Sequence, residues 1–221
     1  ALQVDYTDAA IAVEYSETAE KISVSYPVRQ NERGEDTAEI EISKENGVLS
    51  ITEHQNWQNN LFQWNIDLDI HFGGEDNSPV VRITLPAGRE YSLTLGTGNG
   101  SIRLQANGAD LSSLALHTEN GSIRAQAETL LHIGGNATFQ TENGSVTVSN
   151  IEADGELSLR TSNGSVSAEN VSAKNITATT EHGDVTLTDA AADTALTAQT
   201  STGRISLCGE IAANSLTAKT E

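Results

Sequence analysis

The chain has 221 residues, 37% of them hydrophobic and only 4% aromatic, and its 12 basic against 31 acidic residues give 12 − 31 = −19. That charge excludes the basic footprint that nucleic-acid binding requires, and it would repel an anionic membrane surface. No run of 18 apolar residues predicts a spanning helix. The single cysteine, Cys208, leaves neither an intramolecular disulfide framework nor a cysteine-rich zinc site.

In chain order, residues 1–85 read as short strands. Ile11-Val13-Tyr15, Ile22-Val24-Tyr26, Ile40-Ile42 and Leu49-Ile51 alternate apolar with polar residues, the period of a half-buried strand. The longest alternation is Trp64-Ile66-Leu68-Ile70-Phe72, followed by Val81-Ile83-Leu85. Two polar stretches, residues 29–37 and 73–79, read as loops. The aromatic cluster Trp57, Phe62 and Trp64 is expected to plug one end of whatever the remaining chain builds. No segment carries a convincing helical period, and Leu130-Leu131 and Ala190–Ala192 are expected to be loosened corners.

From residue 97 a repeat takes over. TGNGSI, TENGSI, TENGSV and TSNGSV begin at Thr97, Thr118, Thr141 and Thr161, and TEHGDV and TSTGRI continue the pattern from Thr180 and Thr200. The glycines at 100, 121, 144, 164, 183 and 203 are 21, 23, 20, 19 and 20 residues apart. Within each period three short alternating segments recur, for example Val146/Val148, Ile151/Ala153 and Leu157/Leu159. Each is too short for a helix. One such coil cannot bury its own inner face, but coils stacked about 4.8 Å apart share a continuous core. The pattern therefore predicts a parallel β-helix of about 20-residue coils. Gly tolerates positive φ and Asn tolerates the left-handed region, so Asn-Gly turns a corner at the same place in each coil. Stacked Asn99, Asn120, Asn143 and Asn163 are expected to hydrogen-bond as a ladder, and the Thr row from Thr97 to Thr200 to do likewise. A rival reading makes Asn-Gly a two-residue hairpin turn, pairing Thr118 with Ile123 and Leu116 with Ala125. It leaves the recurring middle segment unexplained.

The segment VVRITLPAGREYSLTLGTGNGSIRL, from Val80 to Leu104, resembles the bacterial β-strand-repeat "putative adhesin" family of unknown function. In that family a hydrophobic-x-Leu-Pro strand, here Ile83-Thr84-Leu85-Pro86, precedes tandem Thr-x-x-Gly-[Ser/Asp]-[Ile/Val] repeats. The resemblance covers nearly the whole chain. It implies a right-handed β-helix or β-roll, exported or tethered by an N-terminal membrane segment. Since the sequence opens at Ala1 without such a segment, a removed signal or anchor is expected. The resemblance brings no catalytic residues with it.

Candidate chemistry is sparse. Asn-x-[Ser/Thr] occurs at Asn99, Asn120, Asn136, Asn143, Asn163, Asn170 and Asn175, and turn chemistry accounts for the four in the corner motif. Gly96-Thr97-Gly98-Asn99-Gly100 looks like a phosphate loop but lacks a following helix and a Lys-[Ser/Thr] pair. Glu119 and Glu142 occupy equivalent corners, with Glu181 two coils further on. Such stacked carboxylates could hold Ca²⁺ or simply fan into water, and the sequence does not decide between these. His54, His71, His117, His132 and His182 share no spacing, and His182 replaces a corner Asn. Cys208 has no His or Asp partner pattern and reads as a small hydrophobe. Thr138, Ser158, Thr177, Thr197 and Thr217 should form an outward row. Its neighbour His117, Gln140, Arg160, Thr179, Gln199 and Lys219 is too irregular for the flat double Thr array of an ice-binding face.

These observations define an all-β chain: a β-rich cap over residues 1–85 and a right-handed parallel β-helix or β-roll over residues 86–221, expected to be one continuous unit. The function expected is a non-catalytic extracytoplasmic surface or adhesion-type module, at the cell surface or secreted, that needs no cofactor and no metal. Its expected partners are a glycan or another cell-envelope component, with end-to-end self-association open. The alternatives are a β-helix polysaccharide lyase or hydrolase and a self-assembling envelope scaffold.

Overall fold

The computed structural model describes residues 1–26, 38–45, 48–55, 69–72 and 80–221. Among them are sixteen strands and no helix. In chain order these are β1 (Leu2–Tyr6), β2 (Ala10–Ser16), β3 (Ser23–Tyr26), β4 (Ala38–Glu45), β5 (Val48–Gln55), β6 (Asp69–Phe72), β7 (Val80–Pro86) and β8 (Glu90–Asn99). Then follow β9 (Ile102–Gln105), β10 (Asp110–Asn120), β11 (Ile123–Ile133), β12 (Ala137–Asn143), β13 (Val146–Arg160), β14 (Val166–His182), β15 (Val185–Thr202) and β16 (Ile205–Thr220). Trp57, Phe62, Trp64 and both polar loops lie outside the described residues, so the expected aromatic plug does too.

The repeats form a parallel β-solenoid of about six turns. In β14, β15 and β16 almost every residue pairs with its equivalent one coil away: Val166 with Val185 and Val185 with Ile205, Val171 with Ala190, Ile176 with Leu196. All pairings from β8 onward are parallel. The hairpin rival fails here, because Thr118 pairs with Thr97 and Thr141 in the neighbouring coils. Antiparallel pairing is found, among the described residues, only between β4 and β5 and between β3 and β7.

Each coil has three sides, which we designate A, B and C. Side A runs into the Thr column, side B follows the Gly corner, and side C is the short middle segment. Alternation sends one set of side chains inward on every side. On side A, Leu95, Leu116, Phe139, Leu159, Ala178 and Ala198 form one buried column. On side B, Ile102, Ile123, Val146, Val166 and Val185 form another. Packing adjusts coil by coil: Phe139 shares its strand with Ala137, whereas Leu157 and Leu159 fill the same two places one coil on. Leu131 and Ala190–Ala192 are not loosened corners. They pair with Ile151 and with Val171–Ala173 as side C. Only Leu130, 51% exposed, sits in a register shift of the kind expected.

The amino terminus enters this stack. β1 lies parallel between β5 and β8, and β2 lies parallel between β7 and β9. Tyr6 aligns with Thr97 and Ile11 with Ile102, so residues 2–16 form a coil without the repeat's glycine. Leu2, Val4, Tyr6, Ile11 and Val13 are all buried in the shared core.

Candidate functional site

The corner between sides A and B is built from three columns. In the first, the Thr hydroxyls turn inward and donate to a corner carbonyl of the coil below: Thr97 to Ala9, Thr118 to Gly100, Thr141 to Gly121, Thr161 to Gly144 and Thr180 to Gly164, all at 2.8 Å. The Thr row is therefore not a hydroxyl-to-hydroxyl ladder. A buried hydroxyl needs an acceptor, and the corner carbonyl of the preceding coil is the one within reach. In the second column the expected Asn ladder exists. Asn163 donates to Asn143, Asn143 to Asn120 and Asn120 to Asn99, at 2.8–3.0 Å. Asn99 in turn donates to the carboxylate of Asp8, so the ladder ends on a charge. His182 takes the next place beyond Asn163. The third column is glycine by necessity. A Cβ on Gly164 would stand 2.1 Å from the Gly144 carbonyl oxygen, and its φ is +155°.

The amide nitrogens of Asn99, Asn120, Asn143, Asn163 and Asn170 all donate in such ladders. That accounts for five of the seven Asn-x-[Ser/Thr] matches as corner chemistry. Gly96–Gly100 is likewise the corner after side A, with no helix behind it.

A second corner, between sides B and C, was not anticipated. Asn150, Asn170 and Asp189 adopt left-handed conformations at φ +58°, +50° and +50°, and Gly209 follows at +67°. Asn170 donates to Asn150 at 2.8 Å, and the Asp189 carboxylate accepts from the Glu210 amide at 2.8 Å. A signal for it was present. Each of these residues lies six positions after a corner glycine: 150 − 144, 170 − 164, 189 − 183 and 209 − 203.

The remaining candidates face water. Thr138, Ser158, Thr177, Thr197 and Thr217 do form one outward column, which Ser50, Gln3, Thr94 and Ala115 extend to nine rungs. The mixed column beside it, from His117 to Lys219, stands in the register expected. Glu119 and Glu142 are exposed neighbours, while Ser162 separates them from Glu181. No three His, Cys, Asp or Glu side chains come together as a metal site among the described residues. His117 and His182 are exposed, and His132 Nε2 lies 3.1 Å from Asp154 Oδ1 at the surface. The side chains of His54 and His71 lie outside the described residues. Cys208 is free and exposed beside Thr188.

Two tyrosines pack together near the amino-terminal coil. Tyr15 and Tyr91 meet edge to face with ring centroids 6.1 Å apart. Burial, and secondarily the neighbouring Tyr91 phenol, holds the Tyr15 hydroxyl well above the ordinary tyrosine range. Burial also raises that of Tyr91, which donates to the Pro86 carbonyl at 3.2 Å.

Together these registers define a parallel β-solenoid protein whose corners are hydrogen-bonded ladders and whose faces are polar. The chain belongs to the Toastrack DUF4097 family, whose model matches residues 1–221. Among curated proteins none matches it. A solved structure described as a "putative cell adhesion protein" from Clostridium sporogenes is similar at 13% identity, with 100% of this chain and 92% of that chain covered and a TM-score of 0.37. That likeness is weak, and the architecture described above stands on the strand registers.

Proposed function

We propose that the protein is a non-catalytic surface or adhesion-type module, working outside the cytoplasm and presenting its solenoid faces to a glycan or another envelope component. The observation that carries this reading is the nine-rung outward column from Ser50 to Thr217, about 40 Å long at the rung spacing of a sheet. Hydroxyl and amide side chains dominate it. Such a surface offers many weak, equivalent contacts, and polyvalency can turn these into useful avidity. Glycoside hydrolysis needs two carboxyls roughly 5–10 Å apart flanking one bond, with opposed roles. Glu119 and Glu142, the register-paired corner acids, stand on adjacent rungs of one exposed corner and do not flank a bond between them.

The test is to incubate the full chain with acidic and neutral polysaccharides, with and without Ca²⁺, and to probe a glycan array in parallel. Array or envelope binding without new reducing ends or unsaturated products is expected. Turnover lost on replacing one acidic residue would establish the lyase or hydrolase alternative instead.

A second reading, an end-to-end scaffold, is favoured by one specific feature. Among the described residues β16 has a pairing partner on one edge only, and Leu216 on it is 52% exposed. Light scattering against concentration tests this: a mass that stays at the monomer value disposes of it.

A further inference from the structure

One face reverses the sign of the molecule. Side B carries two nearly identical tiles, Ser-Ile-Arg-Leu-Gln over residues 101–105 and Ser-Ile-Arg-Ala-Gln over residues 122–126. Alternation buries Ile102, Leu104, Ile123 and Ala125 completely and turns the Ser, Arg and Gln of each tile outward. The tiles are in register, Arg103 with Arg124 and Gln105 with Gln126, and the Ser122 amide donates to the Ser101 hydroxyl at 3.2 Å. Two guanidiniums therefore stand one rung apart, about 4.8 Å between strands. Below them the column continues through Ala12 to Arg82. Above them it runs through Thr147, Ser167, Thr186 and Ser206, with no acid along its length.

In a chain with 31 acidic residues, neither Arg103 nor Arg124 makes an ion pair among the described residues. The nearest acid in register is Glu14, paired with Gln105, and its carboxylate accepts from the Thr84 hydroxyl at 3.0 Å. Like charges stacked at this spacing repel; the coils above avoid the problem with Thr or Ser, and below, Ala12 separates Arg103 from Arg82. A guanidinium pair left without a counter-charge is matched by a ligand that supplies one at each rung, because the planar fork takes a carboxylate or sulfate bidentately. The flanking Ser and Gln columns add hydroxyl and amide partners suited to sugar hydroxyls. Among the described residues no aromatic side chain stands outward beside the arginines to stack a base, as a single-stranded nucleic acid would require.

We propose that side B of β9 and β11, centred on Arg103 and Arg124, binds a linear anionic polysaccharide laid along the solenoid axis. This rests on the surface-module reading and specifies its ligand class. Charges beyond the Debye length, about 8 Å at physiological ionic strength, are largely screened, so the arginines and their immediate neighbours govern contact.

The experiment is titration calorimetry of the full chain with soluble polygalacturonate and with chondroitin sulfate. Neutral dextran and poly(dT) serve as controls, at low and at physiological salt. Binding to the acidic polymers, weakened by salt and absent for dextran, is expected. The double substitution Arg103→Gln and Arg124→Gln should weaken it about tenfold or more, the scale of losing charge-assisted hydrogen bonds. Arg160→Gln on side A, and circular dichroism of both variants, should be unchanged. No binding of either acidic polymer, equal binding by the double variant, or tighter binding of poly(dT) would each overturn the proposal. A double variant that binds the acidic polymers as tightly as the unaltered chain would sink this site and leave the surface-module reading intact, whereas that reading falls only if the unaltered chain binds nothing on the array or in the envelope.

Discussion

The two ends of this solenoid are stabilised by different kinds of pairing. In β14–β16 each strand is a whole coil that lies on its immediate predecessor in sequence. At the amino end, Leu2 pairs with Leu49 and Leu93, separations of 49 − 2 = 47 and 93 − 2 = 91 residues. β1 and β2 must therefore insert between strands made much later in the chain. The carboxyl end can grow by nearest-neighbour addition, as repeat proteins do. The amino end has to close long loops before its contacts form, which is entropically costly and slow. The core reflects the same division. The amino-terminal coil fills its interior with Tyr6, Ile11 and Leu2, whereas Ala168, Ala178, Ala192 and Ala198 line the later coils.

The sharpest way to break this comparison is truncation. A chain lacking residues 1–16 exposes sheet edges on both flanks and leaves a coil-thick gap. It should aggregate or lose its cooperative melt. A chain lacking residues 205–221 gives up only the half-exposed last coil and should stay folded, with Tm lower by several degrees. Circular dichroism melts with gel filtration read both. Equal behaviour of the two would show that the ends do not differ as described.

Within the repeats, Gly164→Val should be the most damaging point change. The Cβ clash with the Gly144 carbonyl and the φ of +155° act together, so a loss well above about 1 kcal/mol is expected in denaturant melts. Gly88 has a φ of +71° but nothing within 4 Å of a Cβ. Gly88→Ala, at the amino-terminal turn, should cost only about 1 kcal/mol, the conformational part alone. Similar losses at both positions would mean that stacking distance contributes nothing.

Thr161→Val keeps the shape of the buried side chain and removes its bond to the Gly144 carbonyl. A loss of about 1–2 kcal/mol is expected. Asn163→Gly at the exposed neighbouring ladder should cost less, under about 1 kcal/mol. If the Asn change proves the larger, the exposed ladder and not the buried Thr column ties the coils together.

The smallest expected effect separates the ends by pH. The Tyr15 and Tyr91 hydroxyls are raised by burial at the amino end, and no tyrosine lies in the repeats after Tyr91. A folded pKa above the unfolded value near 10 contributes stability that is complete below about pH 10 and lost as pH rises above it. Stability should fall above that pH, and Tyr15→Phe should blunt the fall. An alkaline melt identical in the variant would assign the loss to other groups.

How much was legible in the sequence follows from the same division. Period-two alternation and near-constant glycine spacing were enough to derive the coil, its inward and outward rows and the Asn ladder. Each of these is a nearest-neighbour property repeated until it stands out. The αL corner at Asn150, Asn170, Asp189 and Gly209 was equally periodic, but its residue type varies, so only position, six residues past each glycine, betrays it. The direction of the Thr hydroxyls depended on which acceptor lay nearer in three dimensions, and that was the glycine carbonyl of the coil before.

By itself, then, the sequence determined that the chain is a β-solenoid of about 20-residue coils with polar faces, because one side-chain pattern satisfied six times over permits little else. Only the tertiary structure decided that residues 2–16 form a coil within the stack, where Tyr6 and Asp8 take the places of Thr97 and Asn99. It also decided that Arg82 stands in line with Arg103 and Arg124 across Ala12. Those placements join strands far apart along the chain, and a pairing between distant segments leaves no period for a sequence to display.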